Sequence, residues 1–488
     1  MLARLRWLLV RAAALAVIGL VAFLGLRAWE ARRGLPLEVW HTHVPKDVTA
    51  EDIAHLDWQG YLAAEQAVMD EVRTEITQQL PDAERVPVNR YFEGSPIYPG
   101  HFKDDWNRTH VLEPDGPPVG AVVLLHGLTD APYSGRHVGQ LYRDHGWLAL
   151  LPRLPAHGTV PAALTDVRWQ DWQAATRLAV KEARRRVGPD KPIHLVGFSN
   201  GGALAMQYAL DAQEDPSLPR VQRLVLISPM IGITAFARFA GIAGWPAVFP
   251  AFARAAWLSV VPEFIPFKYN SFPINGARQS YLLTRALQAQ IDRKARGGKL
   301  ADLPPILTFQ SIVDFTVSTR SIITALYERL PANGSELVLF DLNRTIKFGP
   351  LLSTGADMIL NRVLPPPPRD YRLTVLATES PESPAMLERT TEPGATVEQV
   401  KATDLAYPVG VFSLSHVALP FPLEDGLYGL RPDPKDDFGI QLGAVAARGE
   451  RGALIVSLEF LMRMTSNPFF PYMRDRIAQE IGPASPGQ

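Results

Sequence analysis

From residue 120 onward, short apolar runs alternate with longer stretches in which polar and apolar residues are mixed. The apolar runs cover residues 121–127, 146–152, 193–198, 223–229 and 304–311. The mixed stretches, at about 135–145, 168–187 and 201–213, have the spacing of helices. This alternation predicts an α/β fold with a doubly wound, mostly parallel sheet. In such sheets the functional site lies at the carboxyl ends of the strands.

Two long stretches interrupt the alternation. Residues 230–300 are rich in aromatic side chains and predict a helical cap. The aromatic residues are Phe236, Phe239, Trp245, Phe249, Phe252, Trp257, Phe264 and Phe267. The second stretch, 343–410, contains four consecutive prolines at 365–368 and a predicted strand at 371–378, and its pattern indicates no function.

Residues 36–118 form a leader to this core. Residues 49–80 predict one amphipathic helix that begins near Thr49, with acidic residues in its first turn. Alternating residues between Val86 and Leu112 predict two antiparallel edge strands. The predicted organisation is an amino-terminal segment (1–35), the leader (36–118), a core in three parts (119–229, 301–342 and 411–488), the cap (230–300) and the insertion (343–410).

The amino-terminal segment is apolar behind a basic start. Fifteen uncharged residues, 12–26, lie between Arg11 and Arg27, and snorkelling of these arginines extends the usable apolar length. The pattern predicts a single uncleaved membrane anchor; a cleaved signal peptide and a buried core helix are the alternatives. Positive charge flanks both ends, and we expect the bulk of the chain outside the cytoplasm, which would be the periplasm if the protein is bacterial.

Composition excludes several classes of function. The 488 residues include 49 basic and 50 acidic ones, and no basic cluster alternates with aromatic residues, so we expect no nucleic-acid partner. The chain has no cysteine, which excludes disulfides, thiolate zinc sites and cysteine catalysis. Neither a His-Glu-x-x-His metal motif nor a Gly-x-Gly-x-x-Gly nucleotide motif occurs. We therefore expect no cofactor and no metal.

One serine stands between two glycines directly after the apolar run 193–198, in Gly197-Phe198-Ser199-Asn200-Gly201. A strand before the serine and a helix of small residues after it are the context of a nucleophile elbow, a strained turn that exposes the serine hydroxyl. The helix amino terminus also favours the negative charge that develops during attack. Ser199 is the candidate nucleophile.

A serine nucleophile needs a base, and in this architecture the chain order is serine, acid, histidine. Of the eleven histidines only His416 follows Ser199, so His416 is the candidate base. Eighteen carboxylates lie between the two residues. Asp314, in the turn after the run 304–311, is the preferred acid, and Asp341, at the end of another apolar run, is the alternative.

The negative charge that develops on the substrate oxygen requires two backbone amides. One is expected from Asn200, directly after the nucleophile. The other is expected from the loop that follows the run 121–127, at Leu128. His126 and Gly127 in this loop are also compatible with a purely structural role, glycine in a turn and histidine with local hydrogen bonds.

The motifs "LLHG", "RLPAHGT" and "GFSNGG", which together span about residues 120–230, resemble the α/β-hydrolase superfamily. They are most similar to its branch of carboxylesterases, monoacylglycerol lipases and lysophospholipases, often described as serine aminopeptidase-like. The resemblance implies an α/β-hydrolase fold with a triad of Ser199, Asp314 and His416. The acid and the histidine are 102 residues apart here, against a few tens in relatives, and the amino-terminal anchor is not a general feature of the branch.

These observations predict a membrane-anchored serine hydrolase that cleaves carboxylic esters, lipid-like ones in view of the aromatic cap, through an acyl-enzyme. Its expected partners are a small-molecule or lipid ester substrate and the membrane. A serine aminopeptidase-like peptidase or an acyltransferase is the alternative. The cap has few acids to hold a free amine, chiefly Glu263 and Asp292, which disfavours the peptidase. A non-catalytic anchored binding protein is the third hypothesis.

Overall fold

The computed structural model describes residues 2–33, 35–232, 250–298, 300, 302–346, 351–352, 363–446, 448 and 453–482. Its strands are β1 (His110–Leu112), β2 (Ala121–Leu125), β3 (Leu148–Leu151), β4 (Ile193–Phe198), β5 (Arg223–Ile227), β6 (Trp257–Ser259), β7 (Phe272–Pro273), β8 (Ile306–Ser311), β9 (Glu336–Phe340), β10 (Arg372–Ser380), β11 (Ser383–Thr391) and β12 (Gln399–Ala406). Its helices are α1 (Leu2–Arg33), α2 (Val39–Thr42), α3 (Ala50–Ile53), α4 (Trp58–Val72), α5 (Arg136–Asp144), α6 (Trp169–Val187), α7 (Asn200–Glu214), α8 (Ile274–Lys294), α9 (Thr319–Ala325), α10 (Leu458–Arg463) and α11 (Phe470–Ile481).

A ten-stranded sheet organises the protein, in the order β1-β3-β2-β4-β5-β8-β9-β10-β11-β12. The neighbouring strands from β3 to β10 are parallel, and β1, β11 and β12 are antiparallel to their neighbours. The five apolar runs form β2, β3, β4, β5 and β8, in the centre of the sheet. The predicted α/β fold with a mostly parallel sheet is confirmed.

Helices cover both faces of the sheet, because β2, β3 and β4 are buried along their whole length and need partners on both sides. Ala121, Val123 and Leu125 of β2 pack in one buried cluster with α6, α7 and α8. The intervening Val122 and Leu124 pack in a second cluster with α5 and α11. This double burial explains why the strands are continuous apolar runs.

The leader differs from the prediction in two places. The expected single helix from Thr49 is wrong: α3 ends at Ile53, and a new helix starts at Trp58 because the Asp57 side chain accepts the Gly60 amide and caps it, at 2.8 Å. The second expected edge strand is also wrong. Between residues 86 and 112 only β1 is a strand, and the preceding residues form turns, as expected of a stretch rich in proline and glycine.

The two interruptions contribute differently to the fold. The described part of 230–300 contains β6, β7 and α8, while residues 233–249, with four of the aromatic residues of the predicted cap, lie outside the described residues. The described part of 343–410 contains β10, β11 and β12, which extend the sheet at one edge. The predicted strand at 371–378 is confirmed as β10. Residues 347–350 and 353–362 of this stretch lie outside the described residues.

The leader is tied to the core by a buried ion cluster of Arg153, Asp47 and Glu65. The Arg153 side chain is fully buried, and its Nη1 and Nη2 donate to the two carboxylate oxygens of Asp47 at 2.6 and 2.9 Å. Its Nε lies 3.3 Å from Glu65 Oε2. Burial by itself raises the pKa of Asp47, but the adjacent guanidinium outweighs this and lowers it. The cluster therefore holds the leader against the loop after β3.

Replacing Asp47 by asparagine should lower the free energy of unfolding by about 3–5 kcal/mol, because the charge of Arg153 then stays buried without its main partner. The measurement is chemical denaturation of the two proteins. A matched control is Glu51→Gln, which breaks the exposed pair with Arg168 and should leave the free energy of unfolding nearly unchanged. Equal stability of Asp47→Asn and the wild type would contradict this role of the cluster.

Within the described residues, one helix is long and apolar enough to cross a membrane. It is α1, whose 22-residue stretch from Arg6 to Arg27 contains an 18-residue window with a mean hydropathy of 2.4. None of its most apolar window is buried in the structure. A signal sequence near the amino terminus meets the same criteria of length and composition.

Candidate active site

Ser199 lies in the sharp turn between β4 and α7, as the elbow motif predicts. Its φ of 54° and ψ of −114° are strained for a residue with a side chain. The turn is held on both sides, because the Ser199 amide donates to Ile227 O at 3.0 Å and its carbonyl accepts from the Met230 amide at 2.9 Å. Tertiary contacts with β5 and the loop after it thus maintain the strained conformation.

The glycines of the motif are required by close backbone contacts. A Cβ on Gly197 would lie 2.4 Å from the Gly201 carbonyl oxygen, and one on Gly201 would lie 2.1 Å from that of Leu125. Both distances are far below van der Waals contact. The Gly-x-Ser-x-Gly pattern is therefore the condition for α7 to cross this close to β2 and β4.

His416 and Asp314 are brought together across the 102 residues that separate them. The Nδ1–H of His416 donates to Asp314 Oδ2 at 2.8 Å, and both side chains are buried. His416 begins a short 3₁₀ turn, His416–Ala418, and its ring stacks on Phe198 with the centroids 5.2 Å apart. The imidazole is therefore oriented on one side by a carboxylate and on one face by the residue before Ser199.

The Asp314 carboxylate accepts three further hydrogen bonds. Ser228 Oγ donates to Oδ2 at 2.6 Å, and the amides of Thr316 and Val317 donate to Oδ1 at 2.7 and 3.0 Å. Burial raises the pKa of this group, but the charge and hydrogen bond of His416, with the bond from Ser228, outweigh the burial and lower it to about 2. Asp314 is therefore ionised at neutral pH.

Sequence reasoning missed Ser228. It directly follows β5 at the carboxyl edge of the sheet, and that position was the signal that could have identified it. The alternative acid, Asp341, lies elsewhere: its carboxylate pairs with Arg344 at 2.8 Å. Within the described residues, the carboxylate that contacts His416 is that of Asp314.

Ser199 and His416 line one cavity, but no hydrogen bond joins the serine hydroxyl to the imidazole in the described part of the chain. Such bonds are often loose in unliganded enzymes and shorten when a substrate is bound. The contact between Asp314 and His416 is therefore already formed. The contact between His416 and Ser199 is the one that would have to form when a ligand binds.

Leu128 lines the same cavity as Ser199, and Asn200 begins α7 directly after this serine. The loop of Leu128 approaches Ser199 so closely that a Cβ on Gly127 would lie 3.2 Å from Ser199 Cβ. Neither the Leu128 nor the Asn200 amide donates a hydrogen bond to another described residue. Both are therefore available to an oxyanion.

His126 holds the loop of Leu128 in place. Its Nε2 accepts the Leu154 amide at 3.1 Å, so Nδ1 carries the proton and donates to Gly127 O at 3.0 Å. Burial lowers its pKa well below the ordinary value, which keeps the ring neutral. Both hydrogen bonds of the His126 ring go to the backbone. They agree with the purely structural role that the sequence also allowed.

A cavity of about 990 Å³ opens above Ser199. Most of its lining is apolar, including Met230, Leu258, Phe272, Val417, Phe460 and Met464. Three residues of α1 also line it: Leu20, Phe23 and Arg27. Among the described residues, no three histidines or carboxylates are grouped closely enough to hold a metal ion. The cavity suits an apolar group of considerable size.

A family model described as alpha/beta hydrolase fold matches residues 120–293. The chain is 32% identical over 177 residues to the thermostable monoacylglycerol lipase of Bacillus sp. (strain H-257), over 36% of this chain and 66% of that protein. It is 28% identical over 119 residues to phospholipase YtpA of Bacillus subtilis (strain 168), over 24% and 42% of the two chains. The match thus covers less than two thirds of either relative.

Among solved structures, the monoacylglycerol lipase of Paleococcus ferrophilus superposes with a TM-score of 0.36 and 15% identity. The superposition covers 52% of this chain and 97% of that one.

Proposed function

We propose that this chain, which belongs to the α/β-hydrolase superfamily and to its esterase and lipase branch, is a membrane-anchored serine hydrolase that cleaves lipid-like carboxylic esters. One observation carries the proposal: a buried carboxylate orients His416, which lines the same large apolar cavity as Ser199. An acid, a base and a nucleophile in this order are the requirements of acyl transfer to serine.

The reaction would begin with attack of Ser199 Oγ on the ester carbonyl while His416 Nε2 removes the hydroxyl proton. Asp314 stabilises the imidazolium that forms, and the amides of Leu128 and Asn200 stabilise the oxyanion. His416 then returns the proton to the leaving alcohol, and the acyl group stays on Ser199. Water, deprotonated by the same imidazole, releases the acid and restores the serine.

The lining of the cavity favours an ester with a long acyl chain over a peptide with a free amine. Among its described lining residues, Arg27, Lys268 and Arg463 are cationic, and Glu459 is the one acid. Of the two acids that the sequence offered for amine binding, Glu263 is buried and accepts the Asn270 and Ser271 amides, and Asp292 pairs with Arg329. Neither lines the cavity, which disfavours an aminopeptidase.

α1 supplies the proposed anchor. At 1.5 Å per residue, its 22-residue apolar span measures about 33 Å, enough to cross the hydrocarbon of a bilayer. Retention of α1 in the mature protein is part of this proposal, with the catalytic part on the outer side of the membrane.

A fluorophosphonate probe tests the nucleophile, because it reacts covalently with a serine that has an oriented base. The detergent-solubilised wild type should be labelled, and mass spectrometry should place the label on Ser199. Ser199→Ala should not be labelled, whereas the control Ser217→Ala, at an exposed position, should be labelled like the wild type. Labelling that persists in Ser199→Ala, or a folded wild type that does not react, would refute the assignment.

A further inference from the structure

The active-site cavity and the apolar helix α1 share a wall. Leu20, Phe23 and Arg27 of α1 line the same cavity as Ser199 and His416. The helix is held against the core at the end of its apolar stretch, because Arg27 Nη2 donates to the Trp257 carbonyl at 2.9 Å. A helix that only tethered the protein would not need to reach the active site.

The positions of these residues along α1 indicate how deep the cavity reaches into a bilayer that α1 spans. Arg27 ends the apolar span, and its charge belongs at the level of the lipid headgroups. Leu20 precedes it by seven residues, or about 10 Å along the helix axis. Leu20 therefore lies at the level of the acyl chains when α1 spans a bilayer. Since it lines the cavity, the cavity reaches that level too.

A rim of exposed apolar side chains continues the same surface. Residues of and around α10 line the cavity with one side, through Phe460, Arg463 and Met464. Further apolar side chains next to the cavity are exposed, although water disfavours such a patch. The rim comprises Leu454, Ile455, Leu458 and Met462, together with Leu258 of β6, which is exposed and also lines the cavity. Leu458 and Met462 are four residues apart on α10 and thus lie on one face.

We propose that the cavity opens sideways into the bilayer leaflet next to the catalytic part, between α1 and the rim, so that the substrate is an ester of a membrane lipid. This inference rests on the proposed function and on α1 as the anchor. The acyl chain passes from hydrocarbon into an apolar cavity, so its methylene groups are never exposed to water. The ester carbonyl then arrives at Ser199 from the membrane side.

Contact between the rim and lipid can be measured without any hydrolysis. Because the chain has no cysteine, Met462→Cys can carry a single environment-sensitive fluorophore, with Val400→Cys on β12 as the exposed apolar control. Both proteins are reconstituted in vesicles of ether-linked phosphatidylcholine that contain a nitroxide-labelled lipid. We expect quenching at position 462 and none at 400. Equal quenching at both positions, or none at 462, would overturn the inference.

A pair of esters with the same leaving group tests the route of the substrate. The probes are 4-methylumbelliferyl butyrate in solution and 4-methylumbelliferyl oleate in the ether-lipid vesicles. Leu458→Asp/Met462→Asp should lower hydrolysis of the oleate at least about tenfold, because two apolar contacts with the bilayer are lost, and leave that of the butyrate unchanged. The control Val397→Asp/Val400→Asp, on a remote exposed surface, should change neither.

The outcomes separate this inference from the proposed function. An equal loss on both esters, or no loss on the oleate, would overturn sideways access while leaving the esterase intact. A wild type that hydrolyses neither ester would refute the proposed function, and the quenching experiment would still decide where the rim lies.

Discussion

Ser199→Ala, His416→Ala and the double variant should each lower kcat for a short-chain ester by about 10⁶-fold, and the two losses should not add. The physical reason is that the hydroxyl and the imidazole act as one unit: without the base the serine keeps its proton, and without the serine the base has nothing to activate. The measurement is steady-state hydrolysis of 4-methylumbelliferyl butyrate by each purified variant, with matched thermal unfolding to show that the fold is retained.

Non-additivity is the decisive part of this experiment. A double variant that lost the product of the two single losses would mean that Ser199 and His416 act independently. A loss below about tenfold in either single variant would remove that residue from the proposed mechanism. The control is His137→Ala, since this imidazole contacts the buried Asp425 and lies outside the lining of the cavity.

Asp314→Asn should lower kcat by about 10⁴-fold and change KM much less. Asparagine has nearly the shape of aspartate, but it carries no charge to stabilise the imidazolium and can present its NH₂ to Nδ1, which favours the wrong tautomer of His416. The carboxylate accepts four hydrogen bonds here, so its replacement also leaves the Ser228 hydroxyl and two amides with weaker partners. The readouts are kcat, KM and the free energy of unfolding.

Asp341→Asn is the matched control, because it changes the rival acid in the same way. Its carboxylate pairs with Arg344, so we expect a loss of stability and a kcat close to that of the wild type. If Asp341→Asn lost activity and Asp314→Asn kept it, the acid of the proposed triad would have to be reassigned.

Much of the fold was predictable because its signals are local. Each central strand is buried on both faces, so its sequence is a continuous apolar run that can be identified without knowing its neighbours. The leader helix was predicted less well. Its apolar spacing continues across residues 49–80 without a gap. The break between α3 and α4 depends on the hydrogen bond from the Gly60 amide to the Asp57 side chain, and the periodicity of apolar residues does not reveal that bond.

The residues of the candidate site also differ in whether a local sequence pattern identifies them. The sequence by itself determined the candidates Ser199, because the elbow motif needs glycines next to its serine, and His416, because no other histidine follows in chain order. Only the tertiary structure decided that Asp314, of eighteen carboxylates, meets His416, that Ser228 supports it, and that α1 forms a wall of the cavity. These contacts join residues that are far apart in the chain. Their geometry depends on how strands and helices pack, and the local pattern of apolar and polar residues does not report that packing.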